Sequence, residues 1–213
     1  MDRVVTTALQ IVDEEGTDAL SMRTLAQRLD SGTATLYRHF TGRADVIAHV
    51  VDRVFGEIGQ SDLSTMTWQE AAKAAANSMF DALRRHHNVA RLLAENVPVG
   101  PNALAARERL IAVLLDNGFP PQLAARSYAT VARYILGFAI QLTTARDEVD
   151  GARLTRVFHD LDQSQFPATT AVADNLPVPL EDEFAFGLEL IIDGLTQELS
   201  RHRGREKTKR RNG

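Results

Sequence analysis

Apolar residues recur along this chain at intervals of three and four. Nowhere do they alternate at every second position over a run bounded by turns. Val5, Leu9 and Val12 stand at i, i+4 and i+7. Val46, Val50 and Val54, with Ile47, Val51 and Ile58, form a second stripe; Trp68, Ala72, Ala75, Met79 and Leu83 a third; Tyr128, Val131, Ile135, Phe138 and Leu142 a fourth; and Phe184, Leu188, Ile191, Leu195 and Leu199 the last. A helix of 3.6 residues per turn gathers such positions on one face, whereas a pleated strand would split them between two. The expected fold class is therefore all-α, without a sheet. Gly16, residues 30–32, 41–42, 97–101 and 118–121, and Gly151 are the expected breaks between helices. Residues 166–179 contain three prolines and predict a loop with one short helix.

Several classes of function are excluded by what is missing. No stretch approaches the roughly 20 apolar residues of a membrane span, and the first residues carry no apolar leader, so a soluble, cytoplasmic protein is expected. With no cysteine there is no disulfide, thiolate nucleophile or cysteine-ligated zinc. No GxSxG motif, phosphate-binding glycine loop or carboxylate pair on an apolar face is present, so neither an enzyme nor a cofactor is expected. His39, His49, His86, His87, His159 and His202 include no HExxH motif and no i, i+4 pair, and no metal site is expected of them.

The net charge of −4 conceals an uneven distribution. Residues 201–213 carry +6, which leaves −10 on the rest, yet within that acidic body residues 20–43 hold Arg23, Arg28, Arg38 and Arg43 against Asp30 alone. A local basic patch on an acidic protein suits a chain that touches DNA at one face. The tail after Ser200 lacks apolar residues and is expected to be disordered.

Residues 19–40, ALSMRTLAQRLDSGTATLYRHF, occupy that patch. Ser21 can cap a helix that buries Leu25, Ala26 and Leu29; residues 30–32 break it; a second helix from Thr33 is anchored by Leu36 and Phe40. Two short helices and a tight turn make a helix-turn-helix, whose second helix enters the major groove. Its exposed face carries Thr33, Thr35, Tyr37, Arg38 and His39, all able to bond phosphates or base edges. Helical hairpins are often only structural, so a protein–protein interaction module without sequence-specific DNA binding is the alternative reading.

The segment resembles the TetR family of bacterial repressors. Arg23, Leu25, Ala26, Leu29, Thr35, Leu36, Tyr37, His39, Phe40 and Arg43 match the family pattern R-x-L-A-x-x-L-G-V-S-x-x-T-L-Y-x-H-F and the basic residue that follows it. Three positions depart from it: Asp30 replaces the turn glycine, Ser31 the apolar turn residue and Gly32 the capping serine. Asp tolerates the left-handed conformation better than most residues and Gly is an acceptable cap, so the reading face should survive. The resemblance implies base-edge contacts from Arg23, Thr33, Ala34 and Thr35, and phosphate contacts from Tyr37, His39 and Arg43, with Arg38 beside them.

The resemblance continues into the tetracycline-repressor branch at Trp68–Gln69, Leu136–Gly137 and FAFGLELIIDGL, residues 184–195. It implies a homodimer held by a four-helix bundle, with Leu188, Ile191 and Leu195 buried between copies and Gly187 and Gly194 permitting close approach. It also implies a near-palindromic double-stranded operator with half-sites about 34–36 Å apart. A small-molecule effector is expected among Met79, Leu93, Asn96, Val131, Tyr134 and Phe138, with Asn96 orienting it and the 46–58 helix as the lever. Gly59, Ala75 and Leu93 align with polar and metal-binding positions of the tetracycline site, which implies an apolar effector, not a magnesium chelate. The expected organisation is a DNA-binding domain at 1–45, a ligand-binding and dimerisation body at 46–200, and the basic tail at 201–213.

Overall fold

The computed structural model describes residues 1–58, 66–95, 97–143 and 147–211. Every regular element among them is a helix. Helix α1 (Asp2–Glu15) buries Val5, Ala8, Leu9, Ile11 and Val12. Helix α2 (Met22–Arg28) and the short α3 (Thr33–Tyr37) follow, and α4 (Arg43–Gly56) returns across α1. The body comprises α5 (Trp68–Arg85), α6 (Val89–Glu95), α7 (Pro101–Asp116), α8 (Pro121–Ala139), α9 (Asp147–His159), α10 (Pro167–Ala171) and α11 (Leu180–Arg211).

The helix starts are chemically specified. Thr67 accepts a bond from the Glu70 amide while the Glu70 carboxylate takes the Thr67 amide at 2.8 Å, a reciprocal capping box at the head of α5. Trp68 then packs edge-on against Phe119 at 4.9 Å. One buried cluster runs from Val5 through Val46, Val50, Val54, Phe80, Leu83 and Ile135 to Leu199, so head and body share a continuous apolar interior.

Three expectations change. Gly151 lies inside α9 and breaks nothing. Residues beyond Ser200 continue α11 as helix through Arg211, and its first part is tied down where Glu198 pairs with Arg201 at 3.2 Å and Arg203 donates to the Asn117 carbonyl at 2.6 Å. On α11, Leu188 is consumed by the protomer's own core, where it is 3% exposed, and Ile191 and Leu195 are half-buried against that core. Phe186 and Leu190 face outward instead, 66% and 56% exposed.

His86 ties the two halves together. It ends α5, with Nδ1 2.8 Å from Asp13 Oδ2 on α1 and Nε2 3.0 Å from Glu57 Oε2 at the end of α4. Asn88, two residues on, donates to the Val12 carbonyl at 2.9 Å and to the Asp13 carbonyl at 3.3 Å, adding a second tie to the last turn of α1. The hydrogen bond to Asp13 holds the His86 pKa above its ordinary 6.5, assisted by Glu57 and opposed by desolvation. A raised value means the bridge adds its full stability below pH 6.5 and loses it as pH rises through the folded-state value. Wild type should therefore exceed His86→Gln in denaturant stability by about 1–3 kcal/mol in acid, with the gap closing towards alkaline pH. A gap independent of pH would show that His86 acts only by packing.

Candidate nucleic-acid interface and ligand cavity

Helix α2 begins with Ser21, whose hydroxyl accepts from the Thr24 amide at 3.0 Å. It ends on a Schellman turn: Asp30 adopts φ 51°, the Ser31 amide reaches the Ala26 carbonyl at 2.9 Å and the Asp30 amide reaches that of Gln27 at 3.1 Å. Asp30 thus takes the left-handed conformation expected of it. Leu36 and Phe40 then pin α3 to the core at 2% and 1% exposure, and Phe40 stands edge-on to His49. Everything else on α3 faces outward. Thr33, Ala34, Thr35, Tyr37, Arg38 and His39 are exposed, as is Arg23 on α2.

The four arginines of the basic patch do different work. Arg28 is spent on Glu14, at 2.9 Å, and on Glu15. Arg43 donates from Nε to the Leu20 carbonyl and from a terminal nitrogen to that of Thr17, each at 2.7 Å, and so fastens the start of α4 to the segment before α2. Arg23 and Arg38 have no side-chain partner among the described residues. Sequence reasoning treated Arg43 as a phosphate contact alone; backbone carbonyls it would meet in three dimensions carry no sequence signal.

A cavity of about 430 Å³ opens between the end of α4 and helices α5 to α8. Met79, Leu93 and Val131 line it, together with Ala75. Asn96 and Gly59 fall outside the described residues. Tyr134 and Phe138 do not reach it; they pack on Phe184, Tyr134 stacked and Phe138 edge-on, and Phe184 stacks in turn on Phe80, with ring centres 4.1 Å apart for Phe80–Phe184 and 4.9 Å for Tyr134–Phe138. At 100° per residue these two fall about 60° and 20° to one side of Val131, whereas Tyr128, Ile135 and Ala132 fall about 40–100° to the other. The Tyr134 hydroxyl donates to the Phe184 carbonyl at 2.7 Å. Gly187 makes that contact possible, because a Cβ there would sit 2.3 Å from Tyr134 Oη. Gly187 therefore serves α8–α11 packing within one protomer.

Tyr128, an aromatic residue that the sequence offered for the pocket, lines the cavity, and so do Arg107, Arg109, Arg133 and Glu95, which escaped sequence reasoning. A signal existed for one of them: Ala103, Arg107, Leu110 and Leu114 follow i, i+4, i+7 and i+11 on α7, so an arginine sits in an otherwise buried stripe.

Helix α4 spans the distance between cavity and head. Phe55 and Ile58 at its end form part of the cavity wall, while Arg43 at its start is fastened to the head. Midway, Asp52 caps α7: Oδ1 accepts the Ala103 amide at 3.0 Å and Oδ2 the Asn102 side chain at 2.9 Å. A Cβ at Gly100 would lie 2.3 Å from Asp52 Oδ1, so only glycine allows this seat.

Known proteins share this arrangement. Residues 4–50 match the family model described as bacterial regulatory proteins, tetR family, and residues 61–199 match the tetracyclin repressor-like C-terminal domain. The HTH-type transcriptional repressor DrrR1 of Streptomyces coeruleorubidus is 28% identical over 96% of this chain and 80% of its own. The class E tetracycline repressor of Escherichia coli is 26% identical over 93% of this chain and 92% of its own. The structure of ActR from Streptomyces coelicolor in complex with (S)-DNPA superposes with a TM-score of 0.84 at 32% identity, covering 92% of this chain and 96% of that one.

Proposed function

The chain belongs to the TetR family, whose members are DNA-binding transcriptional repressors and not enzymes, and from that premise we propose that a small, mainly apolar molecule releases it from a near-palindromic operator. In this reading it acts as a homodimer, α3 of each copy enters successive major grooves, and the second copy docks on the α11 face of Phe186 and Leu190. Residues 1–45 read DNA, and residues 46–200 bind the effector and the second copy.

The observation that carries the reading is that Phe55 of α4, with Ile58 just past its end, walls the cavity while Arg43 of the same helix holds the head. A ligand can shift the protein only by binding one conformation better than another. An occupant that displaces the end of α4 tilts the helix, changes the spacing of the two heads and spoils their fit to the operator. A preference of about 5.5 kcal/mol takes a two-state system from 1:99 to 99:1. The complexed ActR structure supports a small-molecule occupant of such a body, and Ala75 and Leu93 on the wall favour one bound without magnesium.

The test is a gel shift on the DNA upstream of the protein's own gene, titrated with ring compounds with and without magnesium. Failure to shift that DNA, or release by tetracycline that strictly requires magnesium, would overturn the corresponding part. A charge in the wall should separate the two activities. Met79→Glu is expected to bind the same operator and lose its response, with effector affinity reduced about tenfold or more by the buried carboxylate. Phe138→Glu should instead break the aromatic stack and lower stability.

A further inference from the structure

The cavity is apolar in bulk but not neutral in charge. Arg107, Arg109 and Arg133 border it against the single carboxylate of Glu95 among the described residues. Arg107 is held in place by its surroundings: Nε donates to Tyr128 Oη at 3.2 Å, a terminal nitrogen donates to the Pro98 carbonyl at 3.2 Å, and the guanidinium carbon lies 5.7 Å from the Tyr128 ring centre. A guanidinium has five N–H donors, and these two bonds leave others unspent. Neither bond is to an anion, and among the described residues no carboxylate pairs with Arg107. Tyr128 Oη is the acceptor in its bond to Arg107, which leaves its own proton to donate.

We propose, resting on the reading of this cavity as the effector site, that it takes an aromatic anion whose carboxylate, sulfonate or phenolate oxygen is bound by Arg107 and Tyr128. The alanine, leucine and valine wall accommodates the ring body, and Arg109 and Arg133 add positive potential at the border. A purely structural Arg107, tying the 97–100 segment to α8, would need no unpaired charge; a neutral donor would hold the Pro98 carbonyl and Tyr128 as well.

Two fluorophores with the same ring system separate the possibilities: 8-anilinonaphthalene-1-sulfonate, an anion, and N-phenyl-1-naphthylamine, its neutral counterpart. With the full-length protein, both are expected to saturate one site per protomer and to compete, with the sulfonate bound more tightly and weakened by salt. Arg107→Gln should weaken the sulfonate about ten- to hundredfold and leave the neutral amine unchanged. Arg107→Lys should restore part of the loss. If Arg107→Gln proves unstable in a thermal melt, Tyr128→Phe, which keeps the ring, should show the same selective loss to a smaller degree. Equal binding of the two probes, or equal losses in the variants, overturns the anion assignment and leaves the cavity as a ligand site. Saturable binding of neither probe overturns the ligand site itself, and with it this inference.

Discussion

Replacing Phe186 and Leu190 together by glutamate should convert the protein to a monomer at micromolar concentration and lower operator affinity by about 10²–10⁴-fold. The two side chains lie one turn apart on α11, 66% and 56% exposed, the most open large apolar residues of that helix. A two-fold contact presents every residue twice, so the double substitution would bury four carboxylates, each costing far more than the apolar contact it replaces. Without the second copy, the two reading heads lose their tether and each half-site must be bound independently. Because both residues face solvent in the protomer, its own stability should change by no more than about 0.5 kcal/mol. Leu188→Ala is the contrasting case, since Leu188 fills the protomer core and its loss should cost about 2–5 kcal/mol without first dissociating the dimer. Light scattering and a gel shift measure the two effects. A Phe186→Glu/Leu190→Glu protein that remains dimeric would move the assembly surface elsewhere.

The second large effect is expected at α3. Tyr37→Ala combined with Arg38→Ala removes two exposed side chains with no partner among the described residues, so the fold should be unaffected. A hydrogen bond to a charged phosphate is worth about 1.5–3 kcal/mol, and each such contact occurs once in each half-site. Removing even one from each half therefore lowers operator affinity about 10²- to 10⁴-fold. The loss of Arg38 should also reduce the slope of affinity against salt. Arg43→Ala should behave differently. Its guanidinium bonds the Leu20 and Thr17 carbonyls, so removal should lower the melting temperature of the head as well as DNA affinity, at about 1.5–3 kcal/mol. Operator binding left intact in the Tyr37→Ala/Arg38→Ala protein would restore the alternative of a helical protein–protein module.

These two experiments divide along the line between what a sequence encodes locally and what only packing reveals. Helix α3 was legible because its signals are short-range. Leu36 and Phe40 define the buried side, residues 30–32 define the turn, and the remaining side chains must then face outward. Even the substitution of the turn glycine by Asp30 was readable, since the Schellman bonds need only one residue that tolerates positive φ. The role of Leu188 on α11 was not legible for the opposite reason. Leu188, Ile191, Leu195 and Phe186, Leu190 are both valid apolar rows on a helix, and periodicity alone does not say which one a protomer uses for its own core.

What the sequence by itself determined is the all-helical fold, the position of the reading head and the chemistry of its exposed surface. All of these follow from spacings within a few turns and from one motif that the chain carries almost complete. Only the tertiary structure decided which flank of α8 faces the cavity and which stacks on Phe184, that Arg43 is tied to carbonyls some twenty residues earlier in the chain, and that His86 joins Asp13 to Glu57. The same holds for Arg107, an isolated cation in an apolar stripe until Tyr128 and Pro98 are brought beside it. The physical reason is common to all four. A helical period specifies that a face is buried, but its partner is chosen by the angles at which helices pack, and those depend on side chains far apart in sequence.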